Sequence, residues 1–217
     1  YGDHRELHSF PTRRSSDLLG AVEWGYEEDG ATLLAHLEKI VQYNVQSSEK
    51  EKFDGVMLDI EPYISDSWKE NPEEYMDRYI SCMKKGYKFA QKNHLRTAIC
   101  IPRHYDNQGL TSGLEELIKE TCDEVAVMNY SCGNEIEAIR TEAALSEKYG
   151  KELHCILEFQ EVGKHGLTEN KTYRNKGIDN AKETWEKLQK EYKNINVTRD
   201  YHWSRPVREM LEEKNAD

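Results

Sequence analysis

The chain has 217 residues, with 30 Lys+Arg against 41 Asp+Glu and a formal net charge of −11. That length suits one domain better than two, while a mean hydropathy of −0.91 and the lack of any apolar run near 18 residues exclude a membrane-spanning helix. The acidic excess offers no basic stripe to displace counterions, which argues against nucleic acid as a partner.

Residues 1–18 read YGDHRELHSFPTRRSSDL, with no amphipathic period, no apolar stretch of a signal peptide and no capping logic. The string resembles the translation of a DNA-sequencing library adapter. The expectation is therefore a foreign tail over 1–18 and a native domain over 19–217 that enters mid-gene. From there short apolar runs alternate with longer amphipathic ones. LLGAVEW (18–24) is the first predicted strand, and residues 31–46 place Leu33, Leu34, Leu37, Ile40 and Val41 at helical spacing. FDGVMLDIE (53–61) is a second strand, on which Val56, Leu58 and Ile60 alternate with Met57, Asp59 and Glu61. A helix over 73–92 carries Met76, Ile80, Met83 and Phe89 on one stripe. Strand 96–103, helix 113–122, strand 124–131, helix 135–150 with Gly150 at its C-cap, and strand 152–160 follow. A loop rich in Gly and Asn then leads to helix 180–194, strand 196–203 and a closing helix from Arg205.

Six strand-helix units in succession predict an α/β fold with a parallel sheet. A complete eight-unit barrel takes about 250 residues, so six units take roughly 190. The segment after the tail holds 217 − 18 = 199. The expected architecture is a partial (β/α)8 TIM barrel, strands three to eight. An open doubly wound sheet is the alternative, though no Gly-x-Gly-x-x-Gly follows any strand.

Asp59 and Glu61 end the second strand, where a barrel carries its active site. Two carboxylates this close resist simultaneous ionisation, and a carboxylic acid kept protonated near neutral pH is what a general acid needs. The ordinary alternative is that both pair with neighbouring Lys or Arg. Asp54, Gly55, Asp59 and Glu61 together resemble the DGxDxDxE signature of family 18 glycoside hydrolases, the chitinase type, with Met57 in place of the middle aspartate. Met128-Asn129-Tyr130 resembles that family's Met-x-Tyr, and Trp203 resembles the tryptophan that floors its sugar site.

The resemblance implies substrate-assisted hydrolysis beside an N-acetylated sugar. Glu61 would be the acid/base, Asp59 the carboxylate that orients the acetamido group, Tyr130 its clamp and Trp203 the stacking floor. Met57 cannot hydrogen-bond Asp59 as the family's aspartate does, which leaves a non-catalytic, lectin-like barrel open as an alternative. A second alternative is a two-carboxylate retaining glycosidase that uses Glu61 with Glu158, near the end of 152–160.

Met128, Tyr63 and Arg103 are further candidates for lining the sugar site, beside His104 and Trp68 in the same loops. Tyr63 and Trp68 could form a stacking platform, or Trp68 could pack on the next helix. His202 reads as a satisfied structural histidine and Trp185 as a core anchor. No Cys-x-x-Cys or His-Glu-x-x-His occurs, so neither a metal nor another cofactor is expected, and five cysteines read as packed thiols. The expected partner is a carbohydrate. Oligomeric state and localisation are not written in the residues, although the resemblance leans toward a secreted or cell-surface setting.

Overall fold

The computed structural model describes residues 15–20, 27, 29–202 and 204–216. They fall into two compact units divided between Val125 and Ala126. The first holds strands β1 (Ser15–Gly20), β2 (Gly55–Ile60) and β3 (Arg96–Pro102), with helices α1 (Ala31–Gln46), α2 (Asp66–Glu70), α3 (Pro72–Lys92) and α4 (Thr111–Thr121). Strand β4 (Glu124–Met128) carries the division. The second unit continues with α5 (Glu135–Ala138), α6 (Arg140–Tyr149), β5 (Glu152–Glu158), α7 (Ile178–Glu191), β6 (Val197–His202) and α8 (Ser204–Ala216).

The strands of the sheet follow one another in chain order, β1-β2-β3-β4-β5-β6. β1 pairs with β2, β2 with β3 and β5 with β6, all parallel. A doubly wound sheet reverses its strand order at a switch point. This order never reverses, so the fold is α/β with the strand succession of part of a (β/α)8 barrel. The first strand lies earlier than expected: it begins at Ser15 and takes in residues 15–18 of the adapter-like tail, with Leu19 level with Asp59.

The first unit is built on the buried stripe of α3, where Met76, Tyr79, Ile80, Met83 and Ala90 are buried. Asn71 caps this helix by accepting the Glu74 N–H at 3.4 Å, and Pro72 occupies its first turn, where no donor is needed. Gly86 lets α1 approach closely, since a Cβ there would sit 2.5 Å from Leu33. Leu34, Val41 and Phe89, assigned to buried stripes by spacing, are only half-buried. α2 escaped the sequence pattern because five residues are too few to show a period. Its start is marked instead by Ser65, whose Oγ accepts the Trp68 N–H at 3.1 Å.

In the second unit the helix expected over 135–150 is two helices broken at Ile139, which has φ −125° and ψ 19°. The Ile136 carbonyl accepts the phenol of Tyr192 at 2.6 Å, and buried Ile139 turns inward. Apolar spacing passes through such a kink unchanged, so the pattern could not register it. Gly150 does close α6 in the left-handed conformation, φ 64°. Trp185 is buried, and its indole N–H donates to the Cys155 carbonyl at 3.0 Å.

Candidate active site

The C-terminal end of β2 carries the first cluster of interest. β2 stops at Ile60, and Glu61 opens a 3-10 turn over Pro62–Ile64 with φ −111° and ψ 68°. The alternation that put Glu61 on one face with Asp59 therefore ends one residue before it. Pro62 ends the strand, because it offers no N–H to the ladder. Glu61 is half-buried, and its Oε1 accepts the phenol O–H of Tyr63. Among the described residues no cation pairs with Glu61, and its Oε2 has no hydrogen-bond partner. For this carboxylate the ion-pair alternative finds no partner among the described residues. Met57 is buried, and Asp59 is half-buried beside Ile60.

Tyr63 links Glu61 to the loop after β3. Its ring meets His104 edge-on, with centroids 5.2 Å apart at 90°, and Tyr105 at 6.0 Å and 80°. Trp68 lies 5.5 Å from Tyr105, tilted by 33°. It is 3% exposed and packs against Tyr105, so it offers no platform to a sugar. Tyr105, which no motif or spacing singles out, is fully buried under this cluster. Burial holds His104 below its ordinary value, with help from the neighbouring Arg103 guanidinium and against the pull of Asp106. His104 is therefore a neutral imidazole near pH 7. Arg103 is half-buried.

The ends of β4, β5 and β6 carry the second cluster. Met128 is the last residue of β4, so Tyr130 lies beyond the strand expected to include it. Glu158, the last residue of β5, stands level with His202, the last of β6. Its carboxylate is 2% exposed and takes four hydrogen bonds. Oε1 accepts the N–H groups of Phe159 at 2.8 Å and Gln160 at 2.7 Å. Oε2 accepts the Gln160 carboxamide at 3.2 Å and His202 Nδ1 at 2.8 Å. Glu158 is thus not a surface acid. The half-exposed ring of Tyr130 faces that of His202 at 6.0 Å and 32°. Trp203 lies outside the described residues.

Behind this cluster a buried network fixes the loops. Tyr173 donates to Glu135 Oε1 and lies 2.8 Å from Thr184 Oγ1, while the Gly133 N–H donates to the same Glu135 oxygen at 2.8 Å. Asn129, between Met128 and Tyr130, donates to the Glu135 carbonyl at 2.9 Å. Burial pushes the thiol of Cys82 up to about 11, that of Cys132 to about 11 and that of Cys155 to about 12. These sulfurs stay protonated near pH 7 and are poor nucleophiles.

No family model matches the chain, and no curated protein matches it. Its fold is similar to solved glycoside hydrolase domains. One is catalytic domain 2 of the group II chitinase of Ostrinia furnacalis, at 13% identity over 75% of this chain and 51% of that one, with a TM-score of 0.40. A mutant of that domain in complex with penta-N-acetylchitooctaose gives 0.42 at the same identity and coverage. The PgaB (BpsB) glycoside hydrolase domain from Bordetella bronchiseptica is 10% identical over 75% of this chain and 55% of its own, with a TM-score of 0.44. The chain thus spans about half the length of these solved chains.

Proposed function

We infer that the chain acts as a glycoside hydrolase-like barrel on a glycan containing N-acetylated sugars, with Glu61 as the proton donor. The observation that carries this reading is the state of Glu61. It is a half-buried carboxyl at the C-terminal end of β2, fixed on one oxygen by Tyr63, with no cation beside it among the described residues. A carboxyl held on one oxygen keeps its rotamer and leaves the other to reach a glycosidic oxygen.

In the proposed step the Glu61 carboxyl gives its proton to the departing oxygen as the bond to the anomeric carbon breaks. The carbonyl oxygen of the substrate's own acetamido group closes on that carbon, and Asp59 steadies the positive charge of the ring so formed. Water then opens the ring, returning its proton to Glu61. The hydrogen bonding of Glu158 favours this scheme over one with Glu158 as nucleophile. A nucleophile needs an open lone pair, and both Glu158 oxygens already accept two donors each.

The test is Glu61→Gln in the full chain, with tri-N-acetylchitotriose as substrate. Release of reducing ends should fall by at least about 100-fold, with the unfolding curve unchanged. Turnover equal to the parent rejects Glu61 as the acid. Met57 favours one rival, because a buried thioether gives Asp59 no hydrogen bond of the kind the family's middle aspartate supplies. On that view the parent binds the trisaccharide and releases no reducing ends.

A further inference from the structure

Two carboxylate–imidazole pairs stand on neighbouring strands β5 and β6, and they differ in one respect. His154 Nδ1 lies 2.8 Å from Asp200 Oδ2, and both side chains are sealed, 2% and 4% exposed. His202 Nδ1 lies at the same 2.8 Å from Glu158 Oε2, yet only the carboxylate is sealed: Glu158 is 2% and His202 30% exposed. The first pair is closed to solvent on both sides. The second presents its imidazole to the outside at the C-terminal end of the sheet.

The hydrogen bonds around Glu158 settle which nitrogen faces outward as an acceptor. Phe159, Gln160 and the Gln160 carboxamide donate to its oxygens, and a carboxylate in that setting takes its fourth bond from a donor as well. Nδ1 of His202 therefore carries the proton. The 3.4 Å separation of Gln160 Nε2 from His202 Nδ1 is the spacing of two donors on one oxygen. In the neutral ring Nε2 is then the acceptor, and it has no hydrogen-bond partner among the described residues. Tyr130 closes one side, its ring 6.0 Å from the imidazole and tilted by 32°.

An oriented acceptor beside an aromatic face suits a ligand that has both hydroxyl groups and an apolar ring surface. We propose that His202, set by Glu158, is a carbohydrate-binding residue whose Nε2 accepts a hydroxyl proton of the sugar while Tyr130 packs against the ring. Glu158 is then a positioning residue that fixes the tautomer, and Gln160 holds Glu158. The choice of sugar as ligand rests on the glycoside reading above, whereas the geometry of the dyad stands by itself.

The experiment uses the full chain, tri-N-acetylchitotriose as probe and two readouts: long-range proton–nitrogen correlation of the histidine rings and calorimetric titration. The parent should show His202 protonated at Nδ1, with its Nε2 signal moving as the trisaccharide is added. His202→Asn keeps a side-chain N–H where Nδ1 was and removes the outward acceptor. It should leave the unfolding midpoint in place and weaken binding about tenfold. His202→Gln, which offers a carbonyl near the Nε2 position, should restore part of the affinity. A merely structural histidine predicts equal affinity for the parent and His202→Asn, and that result overturns the proposal. So does a His202 proton on Nε2, or a trisaccharide that leaves the ring signals unmoved. Turnover that survives Glu61→Gln rejects the assignment of Glu61 alone if the His202 signals still respond. Lost turnover with silent His202 signals keeps that assignment and rejects this site.

Discussion

The acids at the ends of β2 and β5 look alike in the sequence and are opposites in the structure. Glu61 is half-buried and, among the described residues, takes one hydrogen bond, from Tyr63. Glu158 is 2% exposed and takes four. A carboxylate surrounded by donors is a structural anchor, since each donor would be stranded without it. One held by a single phenol keeps lone pairs open to a ligand. What separates the two acids is how many of their lone pairs are already taken by donors among the described residues.

Truncating both acids puts this contrast to its strongest test. Glu158→Ala leaves two backbone N–H groups, the Gln160 amide and His202 Nδ1 without their acceptor in a sealed place. The expected loss is about 3–5 kcal/mol, or about 10 °C in the unfolding midpoint for a chain of this size. A urea titration showing less than about 1 kcal/mol would remove Glu158 from its anchoring role. Among the described residues Glu61→Ala gives up only the Tyr63 bond, and it should cost no more than about 0.5–1.5 kcal/mol. A loss equal to that of Glu158→Ala would erase the distinction.

The smallest expected effect concerns the neutral imidazole next to Tyr63. Burial lowers the folded-state value of His104 below 6.5, so the unfolded chain binds more protons between the two values. Its contribution to stability is present above about 6.5 and is lost as the pH falls through the lowered folded value. Unfolding curves of the parent and His104→Gln, compared across that window, should diverge on the acid side, with the parent losing more stability. Parallel pH dependence would show that His104 is not held neutral.

Much of this was legible from residue order. Six strand-helix units follow from alternation of apolar runs, and the predicted α1 agrees with the structure at both ends, residues 31–46. Glu61 and Glu158 stand out because each closes an apolar strand. The limits lie where the chain leaves a periodic element. Tyr130 falls past the end of β4, Glu61 past the end of β2, and α5 and α6 part at Ile139. The role of His202 was also out of reach of its immediate neighbours in sequence. A signal did exist: β5 and β6 are adjacent parallel strands, and a polar residue closing each one stands on the same rung.

The sequence by itself determined the alternation of elements and the chemical character of the strand ends, because periodicity and composition are local properties. Only the tertiary structure decided which acid is saturated, which ring is buried and which imidazole nitrogen faces outward. Those outcomes depend on donors brought from 44 residues away, as between Glu158 and His202, and on the exclusion of water around them. No local pattern encodes either.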